Sequence, residues 1–261
     1  MAQNRPVIQV KDLVAKFGDV TILDRVSFEV YEGEIFVVLG ESGCGKSTLM
    51  KHLVGLIQPY AGEIIIDGDD ISSCDTDTFQ KVLRKVGVLY QSSALFGSMT
   101  LAQNVALPIE EYTNLGHDTI NTLVRMKLNL VNLGGYEDFL PSELSGGMRK
   151  RAGLARAMAL NPKILFFDEP SAGLDPVTSA GLDQLIIHLN ETLGTTVFIV
   201  THELQSIFAV AHRVIMLDRR TRGIIAEGDP KFIRAHSQNP FVRRFFNREA
   251  EENSPGKENS R

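Results

Sequence analysis

Cysteine is scarce: Cys44 and Cys74 are the only two in 261 residues. Two are too few for a disulfide framework, and no metal-ligand spacing accompanies them, so a reducing compartment is expected. Apolar runs stop at about five residues, against the ~18 or more that a bilayer-spanning helix requires. The chain is therefore expected not to cross a membrane. Its first residues, Met1-Ala2-Gln3-Asn4-Arg5-Pro6, lack the charged-then-apolar layout of a secretion signal. Nor is there a surplus of positive charge. The formal net charge is −5, so a nucleic-acid partner would need a local basic patch, and none is expected. No internal repeat or low-complexity tract is present. What the chain does have is 43% hydrophobic residues, enough for a sizeable core.

Val7–Val10, Val26–Val30 and Glu63–Asp67 mix alternation with β-branched residues and are punctuated by Gly33, Gly62 and Gly68. They predict an antiparallel β layer. Val86–Tyr90, Ile164–Phe167, Thr196–Val200 and Val214–Leu217 are short unbroken apolar runs, the pattern of strands buried on both faces of a parallel α/β sheet. Between them, about 92 to 158 reads as an inserted helical region, with candidate helix starts at Ser98, Asp118 and Ser145. Pro240–Phe246 is aromatic and basic, suited either to a partner or to its own domain. The polar stretch 247–261 is expected to be disordered.

The strongest motif is Gly40-Glu41-Ser42-Gly43-Cys44-Gly45-Lys46-Ser47-Thr48, directly after the apolar run Ile35–Leu39 and before a helix-compatible stretch to Leu53. A buried strand feeding a glycine-rich turn and then a helix aims successive N–H groups at one anion. Lys46 then reaches the β- and γ-phosphates and Ser47 offers its hydroxyl to Mg²⁺. The residues imply nucleoside triphosphate binding. Cys44 reads more readily as a small residue filling the loop than as a reactive thiolate at a helix start. Downstream, Lys163-Ile164-Leu165-Phe166-Phe167-Asp168-Glu169-Pro170 is an apolar strand ending in two carboxylates, and the carboxyl ends of such strands form the ligand crevice. Asp168 is suited to hold Mg²⁺ through water, and Glu169 to polarise the water attacking the γ-phosphate.

Leu144-Ser145-Gly146-Gly147-Met148 opens a helix rich in arginine and alanine. Serine and two glycines there create a second N–H nest. One nucleotide needs only one such cradle, which suggests that another copy of the chain presents the second. The run Arg149-Lys150-Arg151 reads as a solvated helix face rather than a nucleic-acid patch.

In this order the motifs resemble the nucleotide-binding subunit of ATP-binding cassette (ABC) transporters, over about 7 to 235. The resemblance implies an α/β fold: a P-loop NTPase (RecA-like) core, about 1–91 and 159–235, with an N-terminal antiparallel β layer. It also implies an inserted helical subdomain, about 92–158, and a C-terminal docking segment, about 236–246, within one domain spanning 1–246. It further implies that Phe17 stacks on adenine, that Gln91 meets Mg²⁺ and senses the γ-phosphate, and that Ser145, Gly146 and Gly147 close over ATP in the opposite subunit. Asp175 becomes the acid of a loop communicating across the dimer, and His202 the switch histidine. ATP and Mg²⁺ are the implied ligands.

The signature departs from the usual pattern by ending in Met148 instead of glutamine. Met148 and the segment 94–113 are similar to ATPases of the Mla type, which work with MCE-domain proteins to move phospholipids between bacterial membranes. That likeness implies a homodimer at the cytoplasmic face of the inner membrane, bound to integral membrane permease subunits and accessory proteins. By the resemblance to ABC ATPases, the segment after Gln91 receives a coupling helix of the permease, so Leu95, Phe96 and Met99 read either as groove residues or as core of the helical subdomain. The alternatives are an ATPase serving a small-solute permease and a soluble cassette acting on DNA or the ribosome.

Overall fold

The computed structural model describes residues 5–247. Nearly all of the tail expected to be disordered lies outside them.

Two sheets form the frame. The first contains β1 (Pro6–Phe17), β2 (Val20–Tyr31), β4 (Ala61–Ile66) and the two-residue β5 (Asp69–Asp70), in the order β2-β1-β4-β5 with every pairing antiparallel. The second contains β3 (Ile35–Leu39), β6 (Val86–Leu89), β7 (Ile164–Asp168), β8 (Thr196–Val200), β9 (Arg213–Asp218) and β10 (Gly223–Gly228). Its order is β10-β9-β3-β8-β7-β6, parallel except for the β10 edge.

The unbroken apolar runs are explained by where their side chains go. Along β3, Phe36 and Val38 face the first sheet, while Val37 and Leu39 face the helices. In β7, Ile164 and Phe166 take the first direction and Leu165 and Phe167 the second. With both faces covered there is no solvent side on which a polar residue could alternate. Between the sheets, Phe36 stacks on Phe28 at 5.5 Å and on Phe198 at 5.9 Å. Asp67, just past β4, joins the layers by accepting from Arg5, Lys85 and Lys163 at 3.0, 3.0 and 2.9 Å.

Helix α1 (Lys46–Leu53) follows β3, and α2 (Thr76–Leu83) precedes β6. Between β6 and β7 come α3 (Leu101–Tyr112), α4 (His117–Leu130), a one-turn 3₁₀ helix (Pro141–Glu143) and α5 (Gly146–Ala157). Two of the three expected helix starts shift. α3 begins after Thr100, not at Ser98, because Thr100 and Gln103 form a reciprocal capping box that Ser98 lacks. α4 begins at His117 after the extended Gly116, which leaves Asp118 in the first turn, where its charge favours the helix dipole. The third holds: Ser145 caps α5, accepting from the Met148 N–H. The chain ends in α6 (Pro176–Leu193), α7 (Leu204–Val210), α8 (Pro230–His236) and α9 (Pro240–Asn247). α9 folds back on its own chain: Val242 and Phe246 are buried, and Phe246 meets Phe208 of α7 at 5.7 Å. No helix among the described residues is long and apolar enough to cross a membrane.

Candidate functional site

The turn from β3 into α1 is made by glycines that nothing else could replace. Gly40 has φ +150°, and a Cβ there would sit 2.5 Å from the Leu217 carbonyl oxygen. Gly45 has φ +105°, and its Cβ would meet Leu23 Cδ2 at 2.7 Å. Only glycine tolerates both the dihedral and the contact. Lys46 curls into the loop, its Nζ donating to the carbonyls of Gly40 and Glu41 at 2.8 and 3.1 Å. Cys44 is 1% exposed, and burial pushes its thiol up from the ordinary range against the pull of Lys46. It packs rather than reacts.

A cavity of about 610 Å³ lies over this turn. It is lined by Gly40, Glu41, Ser42, Gly43, Gly45, Lys46, Ser47 and Thr48 from the loop, joined by Gln91, Glu169 and His202 from three other segments. Sheet order is what assembles them. β7 and β8 are adjacent and in register at Asp168 and Val200, so their carboxyl ends, 168–169 and 201–202, emerge side by side. Glu169 takes a left-handed backbone with φ 47°, uncommon for a side chain of its size. Its N–H donates to the Val200 carbonyl at 2.8 Å. Its carboxylate accepts from Thr201 Oγ1 at 3.1 Å and lies 2.8 Å from His202 Nδ1.

Asp168 accepts from Ser47 Oγ at 3.5 Å. Burial, and then the neighbouring Glu169 carboxylate, push its own carboxyl up from the ordinary range. Two crowded acids beside a hydroxyl favour a cation, and Mg²⁺ takes one or two such protein oxygens together with substrate phosphates. The donor set fits Mg²⁺.

Other expected site residues stand elsewhere. Phe17, at the end of β1, is 51% exposed and outside the cavity lining, as an aromatic free to stack on a flat ring would be. Ser145, Gly146 and Gly147 lie outside the cavity too, against the start of α6. A Cβ on Gly147 would come 2.4 Å from Thr178 Cγ2, and one on Gly146 3.5 Å from Leu174 Cδ2. Asp175 caps that same helix, accepting from the N–H groups of Val177 and Thr178, both at 3.0 Å. Hence the second N–H nest and Asp175 share one surface, separate from the phosphate turn of their own chain. The Met148 side chain packs against the helical core.

The expectation of a solvated basic face at 149–151 holds for Arg149, which is exposed, but not for Lys150, which is buried, and only in part for Arg151. Arg149 donates to the Leu144 carbonyl at 2.5 Å and Arg151 to Val131 at 3.3 Å, while Lys150 is buried. The free carbonyls of loops packed around α5 capture these cations. Four contributors to the site carry no sequence signal of their own: Thr201, Lys150, and Ile22 of β2 and Phe245 of α9, which line the cavity. Only for Thr201 does position hint at a role, since it directly follows a buried strand.

A β-strand, a glycine turn closed around Lys46, a strand-end carboxylate pair and a histidine beside them define a nucleoside triphosphatase of the P-loop class. Within that class, the ABC transporter family model matches residues 23–172. The chain belongs to the ABC transporter family and is an ATP-binding, ATP-hydrolysing cassette. It is 44% identical over 240 residues to the "Probable ribonucleotide transport ATP-binding protein mkl" of Mycobacterium leprae, covering 92% of this chain and 68% of that one. It is 42% identical over 226 residues to the intermembrane phospholipid transport system ATP-binding protein MlaF of Haemophilus influenzae, covering 86% and 84%. Its fold matches the ATP-binding cassette MJ0796, solved as a dimer in a post-hydrolysis state with ADP and Pi, with a TM-score of 0.77 and 30% identity over 85% of this chain and 98% of that one.

Proposed function

We propose that this chain is the ATPase of a phospholipid transporter working between bacterial membranes. In this reading it acts as a homodimer at the cytoplasmic face of the inner membrane, docked on permease subunits that serve an MCE-domain protein. The observation that carries the hydrolytic part is the clamp on Glu169, held by Thr201 and His202 at the mouth of the phosphate turn. The lipid cargo rests on the likeness to MlaF over most of both chains.

The chemistry follows from these residues. Glu169 orients a water in line with the γ-phosphorus and takes its proton as the new P–O bond forms and the bond to the β-phosphate oxygen breaks. Lys46 and the N–H groups of 41–48 stabilise the charge spreading over the phosphoryl oxygens. Mg²⁺, held by Ser47, Gln91 and Asp168, would supply further neutralisation of the β- and γ-phosphates. His202 fixes the Glu169 carboxylate and faces the γ-phosphate. Phe17 stacks on adenine, and Ser145, Gly146 and Gly147 of a second copy complete each site, with Asp175 signalling between them.

The test is to purify the tagged chain from its native membranes in mild detergent and identify co-purifying proteins and lipids by mass spectrometry. A polytopic permease with an MCE-domain protein and bound phospholipid is expected. A permease with a solute-binding protein would keep the ATPase and overturn the lipid cargo.

A further inference from the structure

Helix α5 carries one cation that faces inward. Lys150 is 5% exposed, and its Nζ donates to the main-chain carbonyls of Gln91 at 2.6 Å and Glu169 at 3.1 Å. A buried ammonium is stable only where oxygen partners offset its lost hydration. Here burial pushes Lys150 below the usual lysine range, and Asp168 and Glu169 pull it partly back.

Both acceptors are backbone atoms, so Lys150 fixes the path of the chain at these two residues rather than the rotamer of a side chain. At Glu169 that path is the left-handed one, which a non-glycine residue keeps only when its surroundings over-determine it. The Val200 carbonyl accepts its N–H, and its own carbonyl accepts from Lys150 Nζ and from the Ala172 N–H, both at 3.1 Å, leaving the carboxylate aimed at Thr201 and His202. At Gln91 the same ammonium holds the start of a loop in which Ser93 and Ala94 are also left-handed, with φ 64° and 48°. Their carbonyls accept from Arg156 of α5 at 3.1 and 2.7 Å. The loop 91–94 is thus tied to α5 at two places. The flanking Arg149 and Arg151 reach carbonyls of Leu144, Val131 and Gly181, none of them at the nucleotide.

The geometry points to Lys150 as a positioning residue: it joins α5 to the backbones of Gln91 and Glu169, so that the turn offering Ser145 to a partner's nucleotide and the carboxylate acting on this subunit's own nucleotide move as one piece. The inference rests on the proposed action of Ser145–Gly147 in a second copy. Five residues of α-helix, about 7.5 Å of rise, separate Ser145 from Lys150. That is a short and stiff lever. A shift of Gln91 on binding the γ-phosphate at one site is then felt by the signature turn serving the other.

The experiment uses the full-length chain with Lys150→Met, which keeps length and loses charge, and Lys150→Arg, which keeps the donors. Lys150→Met is expected to lower kcat at least tenfold with KM for ATP within about twofold, and Lys150→Arg to restore most of the rate. In the Glu169→Gln background, Lys150→Met is expected to weaken ATP-driven dimerisation about tenfold, while binding of a fluorescent ATP analogue to the monomer is unchanged. Thermal melting monitors folding, and if Lys150→Met does not fold, the neutral amide donor of Lys150→Gln is read by the same criteria. Unchanged kcat and unchanged dimerisation would overturn the role of Lys150. Failure of Glu169→Gln alone to dimerise with ATP would instead overturn the shared-site reading on which it rests.

Discussion

Nδ1 of His202 stands 2.8 Å from Oε1 of Glu169, while the other carboxylate oxygen accepts from Thr201 Oγ1 at 3.1 Å. The carboxylate proposed as the base is thus gripped on both oxygens by residues that follow the neighbouring strand. A carboxylate so held keeps one direction, which is what in-line attack on a phosphoryl group needs from its base.

Replacing Glu169 by glutamine keeps the shape and removes the basicity. Turnover should fall by about 10²- to 10⁴-fold, with ATP affinity little changed and an ATP-bound dimer accumulating. Phosphate release and size-exclusion chromatography with ATP read both effects, and near-normal hydrolysis would remove Glu169 from its role.

His202→Ala frees one oxygen of the carboxylate but leaves Thr201 in place. The loss in kcat should be about 10²-fold and smaller than for Glu169→Gln. Thr201→Val, tested beside it by steady-state kinetics, should reduce kcat more modestly, with little change in KM.

Lys46 is already drawn into the centre of the phosphate turn by the Gly40 and Glu41 carbonyls. Lys46→Ala removes a charged donor to phosphate, a contact worth about 1.5–3 kcal/mol, so ATP should bind roughly 10- to 100-fold more weakly. Calorimetric titration with a non-hydrolysable analogue checks this, and unchanged affinity would count against the site.

Asp67 offers a pH test of the joint between the sheets. Burial alone would raise its carboxyl, but hydrogen bonds from Lys163 and Lys85 overcome burial and hold it below the ordinary range. A carboxyl lower in the folded state stabilises above its unfolded pKa of about 3.9, and that stability disappears as pH falls through the folded value. Lys163 and Arg5 are largely exposed, so Asp67→Asn should cost only about 1 kcal/mol at pH 7. In urea titrations the gap between variant and wild type should close below about pH 4.

Much of this was legible because it is local. The glycine turn, the position of Lys46 at the start of a helix and the cap at Ser145 are written in residues within a few positions of one another, although the close approaches that demand glycine at 40 and 45 come from distant Leu217 and Leu23. The two-faced burial of β3, β7 and β8 showed as unbroken apolar runs. Helix starts at Thr100 and Gly116 were each missed by two residues, because several polar residues compete for one cap and only the capping geometry chooses.

By itself the sequence determined a nucleotide cradle, two acids at a strand end and a second N–H nest, each written in contiguous residues whose spacing dictates their geometry. Tertiary structure alone decided what the long-range partners are. Thr201 and His202 meet Glu169 across 32 and 33 residues because β8 lies beside β7. Lys150 reaches Gln91 across 59 because α5 packs along that edge of the sheet, and Phe245 arrives from the last described helix. Neither spacing nor periodicity encodes such meetings, since they depend on which strands become neighbours. That order is set by burying both faces of one sheet at once.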